Sequence, residues 1–339
     1  MTMEVSFIVV ARDAAATIGT LLECLKRQSY PHERVEVLLV DGLSSDETKS
    51  IMQRFREEER DFKRVVVLDN PGRTLPCGWN VALDAAQGEA ILRVDAHATI
   101  PESFIELNVR DIQGGEDICG GTVLSVPGEN SAWGVVLNEA ENSMFGGGFA
   151  AFRRAKTARY VSTAAFAMYR RAVFDRVGRY NETLTRTEDN EMHYRMRKAG
   201  YRFYYDPEIV SRRVTRSDLG KLLKQKYLNG YWIGRTLGVE PRCFSLYHFA
   251  PLAFVLAVIF CGVLAAFGIG WTSALLWGAY ALADLAMTVS AIAASKDRNI
   301  LFFLLPMIFL LLHLSYGAGT LVGIVRMLAI KTGIARAGD

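Results

Sequence analysis

Residues 5–10 have the sequence Val-Ser-Phe-Ile-Val-Val, a nearly continuous apolar run that is typical of a strand covered on both faces. The segment that follows, residues 16–27, repeats apolar side chains at helical spacing. The same two patterns then alternate, with predicted strands at 35–40, 65–68 and 90–94 and predicted helices at 46–58 and 75–86. This alternation predicts an α/β fold with a mostly parallel, doubly wound sheet.

The C-terminal part of the chain has a different composition. Half of the 339 residues are hydrophobic, which excludes a disordered or fibrous protein, and residues 246–339 hold only five of the 39 basic and three of the 36 acidic residues. Residues 243–283 and 299–325 contain no Asp, Glu, Lys or Arg, and each stretch is long enough to cross a bilayer. Pro306 is expected to kink the last predicted span. The alternative to membrane spans is that these stretches form buried helices of a large soluble core. The predicted membrane helices lie near 249–269, 271–293 and 300–325.

A basic segment separates these two parts. Residues 211–242 hold eight Lys and Arg residues against Asp218 and Glu240, so the positive-inside rule places the large domain in the cytoplasm. Within this segment, residues 219–237 mix lysines with apolar and aromatic side chains, which is typical of a helix lying in the membrane interface.

The end of the third predicted span conflicts with the positive-inside rule. Arg326, Lys331 and Arg336 would lie outside if this span crossed the membrane fully. The rule would hold if the chain bent back around the glycines at 317, 319 and 323, and the sequence leaves both alternatives open. The predicted organisation is a soluble domain at 1–210, an amphipathic juxtamembrane segment at 211–245 and about three membrane helices at 246–330.

Polar side chains follow the predicted strands where these end. Asp13 follows the first strand, Asp41 the second, and Asp95 and His97 the fourth. In open α/β sheets ligands bind beyond the carboxyl ends of the strands, so we expect a nucleotide site at this edge. The absence of a Gly-x-Gly-x-x-Gly motif and of a Walker loop argues against dinucleotide-binding enzymes and ATP hydrolases. A net charge of +3 gives no reason to propose a nucleic-acid partner.

Two short motifs are candidates for chemistry. Asp95 and His97 could share one divalent ion, and a turn with a solvated histidine is the alternative. Residues 187–191, Thr-Glu-Asp-Asn-Glu, precede a predicted helix. An acid placed for general-base catalysis would suit this position, although the helix dipole alone also favours acids there.

Basic side chains are candidates for contacts to phosphate. A glycine-rich stretch at 145–149 is followed by Arg153, Arg154, Lys156 and Arg159, which indicates a loop that closes over a phosphate or a lipid headgroup, or one that is merely flexible. Arg73 or Arg93 could add positive charge at the phosphates, and a structural ion pair is the alternative.

Together these motifs resemble family 2 of the glycosyltransferases, with the GT-A fold followed by transmembrane helices, and in particular the membrane-attached subgroup that includes the succinoglycan-biosynthesis glucosyltransferase. The similarity runs over about residues 3–245. It is carried by Asn70-Pro71-Gly72-Arg73, Gly88-Glu89 and the sequence Arg-Val-Asp-Ala-His-Ala at 93–98.

The resemblance implies roles for individual residues. Asp95 matches the first aspartate of the family's metal-binding Asp-x-Asp motif, His97 stands in place of the second, and Asp189 matches the catalytic base. The implied contacts to the nucleotide sugar are the backbone at Ala11 and the side chains of Asp13, Asp41, Ser44, Arg73 and Asp95.

The resemblance also implies an activity: inverting transfer of a sugar, glucose or another hexose, with Mg²⁺ or Mn²⁺ as cofactor. The donor would be a UDP-sugar and the acceptor a lipid-linked saccharide at the cytoplasmic face of the cell inner membrane, in exopolysaccharide or cell-surface glycan synthesis. The Gln-x-x-Arg-Trp motif of processive synthases is absent, which favours a single sugar addition. The alternatives are transfer to a polyprenyl phosphate and, from another class, a non-catalytic membrane scaffold that binds sugar nucleotides.

Overall fold

The computed structural model describes residues 2–128, 131–147, 157–295, 297 and 299–334. The chain divides into two compact units. The first consists of residues 1–124 and 150–214, and the second consists of residues 125–149 and 215–339. Residues 125–149 therefore group with the C-terminal part of the chain, although more than sixty residues of the first unit separate the two in sequence.

The first unit begins with strands and helices in the predicted alternating order. Its first half contains β1 (Val5–Ala11), α1 (Ala15–Lys26), β2 (Val35–Asp41), α2 (Thr48–Glu58), β3 (Arg64–Asp69), α3 (Leu75–Ala85) and β4 (Ala90–Arg93). Then follow β5 (Ala98–Thr99), α4 (Phe104–Gln113) and β6 (Ile118–Val126), and next along the chain comes α5 (Ala132–Asn142), which belongs to the second unit. The first unit ends with β7 (Arg159–Val161), β8 (Met168–Arg170), α6 (Arg171–Val177), α7 (Glu188–Lys198) and β9 (Phe203–Val214).

One mixed sheet joins these strands in the order β3-β2-β1-β4-β8-β6-β9-β5, with β7 paired to β9. The first four strands are parallel, as the pairs β1–β2, β1–β4 and β2–β3 show. The pairs β4–β8, β6–β8, β5–β9 and β7–β9 are antiparallel. The predicted fold class is confirmed, and the antiparallel pairs are an addition that the sequence pattern does not reveal.

Helices cover both faces of this sheet. Phe7 and Val9 of β1 pack in a core that includes side chains of α1, α2 and α4. Ile8 and Val10, which point to the opposite face, pack with side chains of α3, α6 and α7. Because neither face of β1 meets water, its sequence is apolar without the alternation of a half-exposed strand.

The second unit is helical. It contains α5, α8 (Leu219–Thr236), α9 (Ala250–Ala266), α10 (Trp271–Ala294) and α11 (Leu305–Lys331). Among the described residues, three segments are long and apolar enough to cross a membrane: Leu246–Ala266, Trp271–Ala294 and Ile300–Lys331. These agree with the three spans predicted from the sequence.

The third span differs from the prediction in one detail. The expected kink at Pro306 is not a bend within an α-helix, because residues Ile300–Leu304 form a 3₁₀-helix and Pro306 lies in the first turn of α11. Proline is tolerated there because a first-turn amide has no intrahelical acceptor. Arg336, which entered the charge argument, lies outside the described residues.

α8 and α11 pack through glycines. A Cβ on Gly230 of α8 would lie 2.1 Å from the backbone oxygen of Tyr316, and one on Gly319 of α11 would lie 2.1 Å from that of Tyr227. Small residues spaced in this way allow helix backbones to approach closely. The alternative in which the chain bends back near residues 317–323 is wrong, because α11 is continuous through them.

The segment 131–147 is held against the same helix. Val136 and Leu137 of α5 pack in a cluster with Leu305 and Ile308 of α11. Phe145 lies edge-on to the His313 ring, and the Nε2 atom of His313 is 2.7 Å from the Phe145 carbonyl oxygen. α11 therefore contacts both α8 and the chain that follows β6.

Candidate active site

The loops after β1 and β2 are joined by side-chain hydrogen bonds. The Ser44 hydroxyl donates to Asp41 Oδ1 (2.6 Å) and accepts from the backbone amide of Asp13 (3.0 Å). Asp13 Oδ1 in turn accepts from the backbone amide of Ser45 (2.8 Å). Asp41 is buried, whereas Asp13 is exposed. Three of the predicted nucleotide contacts, Asp13, Asp41 and Ser44, thus form one connected group.

Backbone strain recurs in the loops after the first three strands. Asp13 after β1, Leu43 after β2 and Arg73 after β3 have φ angles of +51°, +55° and +57°. Residues with a Cβ pay an energetic cost in this left-handed region, and such strain clusters at ligand sites. Of the other predicted contacts, Ala11 accepts a hydrogen bond at its carbonyl oxygen from the Gly42 amide (2.8 Å), and the Arg73 side chain is exposed.

Asp95 and His97 lie in a turn after β4. The turn is closed by a hydrogen bond from the Ala98 amide to the Asp95 carbonyl oxygen (2.9 Å). Asp95 is half-buried and His97 is exposed. Burial raises the pKa of Asp95, and the nearby Asp189 charge adds to the shift, whereas His97 and Arg93 oppose it.

Asp189 forms an ion pair with Arg93. The Arg93 Nη1 atom donates to Asp189 Oδ1 at 2.8 Å, and the two side chains are 9% and 45% exposed. Burial acts to raise the pKa of Asp189, but the charge and hydrogen bond of Arg93, together with His193, outweigh burial, and the pKa lies below its ordinary value. Of the two alternatives for Arg93, phosphate contact or structural ion pair, the structure shows the ion pair.

Glu188, the residue before Asp189, has the opposite surroundings. Its side chain is buried, and its Oε2 atom has no hydrogen-bond partner among the described residues. Burial, followed by the neighbouring Asp189 charge, raises the pKa of Glu188 to about 8. Glu188 is therefore largely protonated at neutral pH, while Asp189 is ionised.

His193, one turn further along α7, is buried beneath this pair. Its Nδ1 atom lies 2.8 Å from the Thr163 hydroxyl and its Nε2 atom 3.0 Å from the Tyr169 hydroxyl. Burial lowers the pKa of His193 to about 4 although Asp189 opposes the shift. The imidazole is therefore neutral at physiological pH, whereas Arg93 beside Asp189 carries a positive charge.

Several residues around Arg93 and Asp189 could not be recognised as site residues from the sequence. Trp79, Tyr180 and His193 fall within ordinary helical or loop patterns. Trp79 and Tyr180 contact Arg93, which is 14 and 87 positions away in the chain, and His193 contacts Tyr169, 24 positions away. Gly121 lies inside β6, where a Cβ would clash with the Ile209 carbonyl oxygen. Arg153, Arg154 and Lys156 of the predicted basic loop lie outside the described residues, and Arg159 begins β7.

The sheet topology and the polar residues at its strand ends are accompanied by a sequence match to a known protein family. The sequence model of glycosyl transferase family 2 matches residues 6–178, just over half of the chain. The chain belongs to this family. It is 30% identical over 325 residues to the succinoglycan biosynthesis protein ExoA of Rhizobium meliloti (strain 1021), with 94% of each chain covered.

A second relative is the dolichyl N-acetyl-alpha-D-glucosaminyl phosphate 3-beta-D-2,3-diacetamido-2,3-dideoxy-beta-D-glucuronosyltransferase of Methanococcus voltae. It is 23% identical over 331 residues, covering 95% of this chain and 97% of the relative. Among solved structures, the mannosyltransferase PcManGT from Pyrobaculum calidifontis, in complex with GDP-Man and Mn²⁺, superimposes with a TM-score of 0.58 at 20% identity. This match covers 95% of this chain and 88% of that one and supports the GT-A fold. The enzyme is a glycosyltransferase.

Proposed function

We propose that this family-2 enzyme transfers a hexose, with inversion, from a UDP-sugar to a lipid-linked saccharide at the cytoplasmic face of the cell inner membrane. The observation that carries the proposal is that Asp189, at the start of α7, is held at 2.8 Å by Arg93, the last residue of β4, which precedes Asp95 by two residues. Asp95 would help to hold the leaving diphosphate, and Asp189 would accept the proton of the acceptor hydroxyl. Exopolysaccharide or cell-surface glycan synthesis is the corresponding pathway class, since ExoA acts in succinoglycan biosynthesis.

In the proposed mechanism Asp189 is the general base. The acceptor hydroxyl attacks the anomeric carbon as its proton passes to Asp189, and the bond from that carbon to the diphosphate oxygen breaks on the opposite side. A half-exposed, ionised carboxylate suits this role because it is accessible to a bound hydroxyl and already deprotonated. The electron pair of the broken bond leaves with the nucleotide diphosphate.

The donor would lie across the strand ends of the first unit. Asp13, Asp41 and Ser44 would contact the nucleoside together with the backbone at Ala11, and their mutual hydrogen bonds support this because they fix the two loops before ligand binds. Arg73, which is exposed in the loop after β3, would contact the phosphates.

A divalent cation would neutralise the leaving diphosphate. The described residues contain no cluster of three or more His, Cys, Asp or Glu side chains that could hold a metal ion, so the protein would supply only Asp95 and His97. This set fits Mg²⁺ or Mn²⁺, which are bound in phosphate-transfer sites by one or two protein ligands with substrate oxygens and water. When bound there, the ion acts as a Lewis acid on the diphosphate.

The membrane segments support a lipid-linked acceptor. Three segments of the second unit can cross a bilayer, and the basic segment 211–242 precedes the first of them. The positive-inside rule then assigns the catalytic domain to the cytoplasm. The Methanococcus voltae relative, whose name describes a dolichyl-linked sugar phosphate as acceptor, supports the same acceptor class.

The test is release of nucleotide by the full-length protein in detergent with membrane lipid extract, a panel of UDP- and GDP-sugars, and Mg²⁺ or Mn²⁺. We expect lipid-dependent release with a UDP-sugar, lowered about 10²- to 10⁴-fold by Asp189→Asn. Asp117→Asn is the matched control, because Asp117 is 49% exposed and also faces an arginine, Arg170, at 3.6 Å. Full activity of Asp189→Asn would refute the proposed base.

Two other results would change the proposal. Release that needs only a polyprenyl phosphate would replace the saccharide acceptor with that lipid. Tight UDP binding without release from any donor and lipid extract would indicate a sugar-nucleotide-binding scaffold.

A further inference from the structure

The ion pair of Asp189 has an unusually restrained partner. The Arg93 guanidinium carbon lies 4.0 Å from the Trp79 ring centroid and 4.9 Å from that of Tyr180. The Nη1 atom that pairs with Asp189 also donates a hydrogen bond to the Tyr180 hydroxyl. Because a planar guanidinium stacked on aromatic rings has few orientations, Arg93 presents a fixed cation to Asp189.

The aromatic neighbours are fixed in turn by α3. Asn80 Nδ2 donates to the Tyr180 carbonyl oxygen at 3.0 Å, and Asn80 Oδ1 accepts from the Tyr180 amide at 2.9 Å. Trp79, the adjacent residue of α3, is almost completely buried. α3 therefore positions both rings that restrain Arg93, although it lies about a hundred residues before Asp189 in the chain.

The contact to Asp189 is one-sided. Arg93 binds Oδ1, and in the part of the chain that the structure describes no hydrogen-bond donor reaches Oδ2. The Asp189 side chain is 45% exposed, so this second oxygen remains accessible. Among the described residues, one oxygen of this carboxylate is thus hydrogen-bonded and the other is not.

We infer that Arg93 is a positioning residue for Asp189, which it holds by Oδ1 so that Oδ2 faces the acceptor hydroxyl. The inference rests on the proposed function, in which Asp189 is the base. In the step, the acceptor O–H bond breaks and its proton goes to Oδ2, while the oxygen forms its bond to the anomeric carbon and the diphosphate leaves with its electron pair. Arg93 neither gives nor takes a proton, and its contribution is the orientation of the carboxylate.

A double-mutant cycle tests this inference. We expect Arg93→Met to lower kcat about 10²-fold in the wild-type background. In the Asp189→Asn background it should lower the residual rate less than threefold, because an arginine that acts through Asp189 has nothing left to position. Equal loss in both backgrounds would overturn the inference, since it would mean that Arg93 acts independently of Asp189.

Two further readouts separate positioning from structural support. Arg93→Met removes the positive charge beside Asp189 and should move the acid limb of the pH profile of kcat/KM upward by about 1 to 3 pH units. Arg93→Lys keeps a positive charge and should therefore retain part of the rate and of the wild-type pH profile that Arg93→Met loses. Arg170→Met, which removes the ion pair with Asp117 in the same unit, is the control for loss of an arginine. UDP binding and the unfolding midpoint of each variant report whether it is folded.

The outcomes distinguish this inference from the proposed function. If Asp189→Asn is fully active, both fail. If Asp189→Asn is inactive but Arg93→Met leaves kcat and the pH profile of the folded enzyme unchanged, the base assignment stands and the positioning role of Arg93 is refuted.

Discussion

Glu188 and Asp189 are adjacent in the first turn of α7, yet their carboxyl groups differ in burial and in partner. Glu188 is 3% exposed and its Oε2 atom has no hydrogen-bond partner in the described part of the chain, whereas the Asp189 side chain is 45% exposed and paired with Arg93. The two pKa values are consequently displaced in opposite directions. The only acid of the pair that is ionised at neutral pH is the one that a substrate can reach.

The buried acid makes stability depend on pH. The pKa of Glu188 is about 8 in the folded protein against an ordinary value of 4.5, so the stability it contributes is fully present below about 4.5 and is lost as the pH rises through 8. We expect Glu188→Gln, which cannot ionise, to remove part of this loss. Urea unfolding of both proteins in detergent between pH 5 and 9 measures the difference, and an unchanged pH dependence in the variant would contradict the prediction.

Nucleotide affinity should depend on the hydroxyl that joins the two loops. Ser44→Ala removes the hydrogen bonds to Asp41 and to the Asp13 amide, so the loops after β1 and β2 are no longer fixed to each other. We expect the dissociation constant of UDP to rise about tenfold, or about 1.4 kcal/mol. Calorimetry measures this constant, with Ser29→Ala as the control because the Ser29 hydroxyl bonds Glu102 and Glu106 elsewhere in the unit.

Removal of divalent ions should abolish transfer. We expect chelation to reduce nucleotide release to background, and Mg²⁺ or Mn²⁺ to restore it, because an uncompensated diphosphate is a poor leaving group. Asp95→Asn should lose about 10²-fold in rate at saturating donor, whereas His97→Ala should raise the metal concentration for half-maximal rate about tenfold. Undiminished release after chelation would show that the enzyme needs no added metal.

The glycine contact between α8 and α11 should be sensitive to one methyl group. Gly319→Ala would place a Cβ 2.1 Å from the Tyr227 carbonyl oxygen, so the helices must separate. We expect a loss of about 1–3 kcal/mol, measured as a lower unfolding midpoint in detergent. Gly278→Ala in α10 is the matched control, since a Cβ there meets no atom within 4 Å, and it should be neutral or slightly stabilising.

The sequence predicts the first four strands and their helices well because these are long elements with strong patterns. It does not reveal the antiparallel pairs, since each of them includes β5, β7 or β8, which are only two or three residues long and cannot show a period. The polar residues at the strand ends could be chosen as site candidates because ligands bind beyond the carboxyl ends of parallel strands. Trp79, Tyr180 and Arg93 could not be grouped in advance, because their contact is made by packing between distant segments.

The packing of the second unit has a consequence for biosynthesis. α11 is the surface against which α8 and the segment 131–147 pack, yet it is translated after both. Until the ribosome has produced residues 305–331, the glycine face of α8 and the apolar face of α5 have no partner from this helix. The packing of this unit can therefore be completed only after residues 305–331 have been translated. A ribosome that stalls before residue 305 leaves both surfaces exposed to chaperones and proteases.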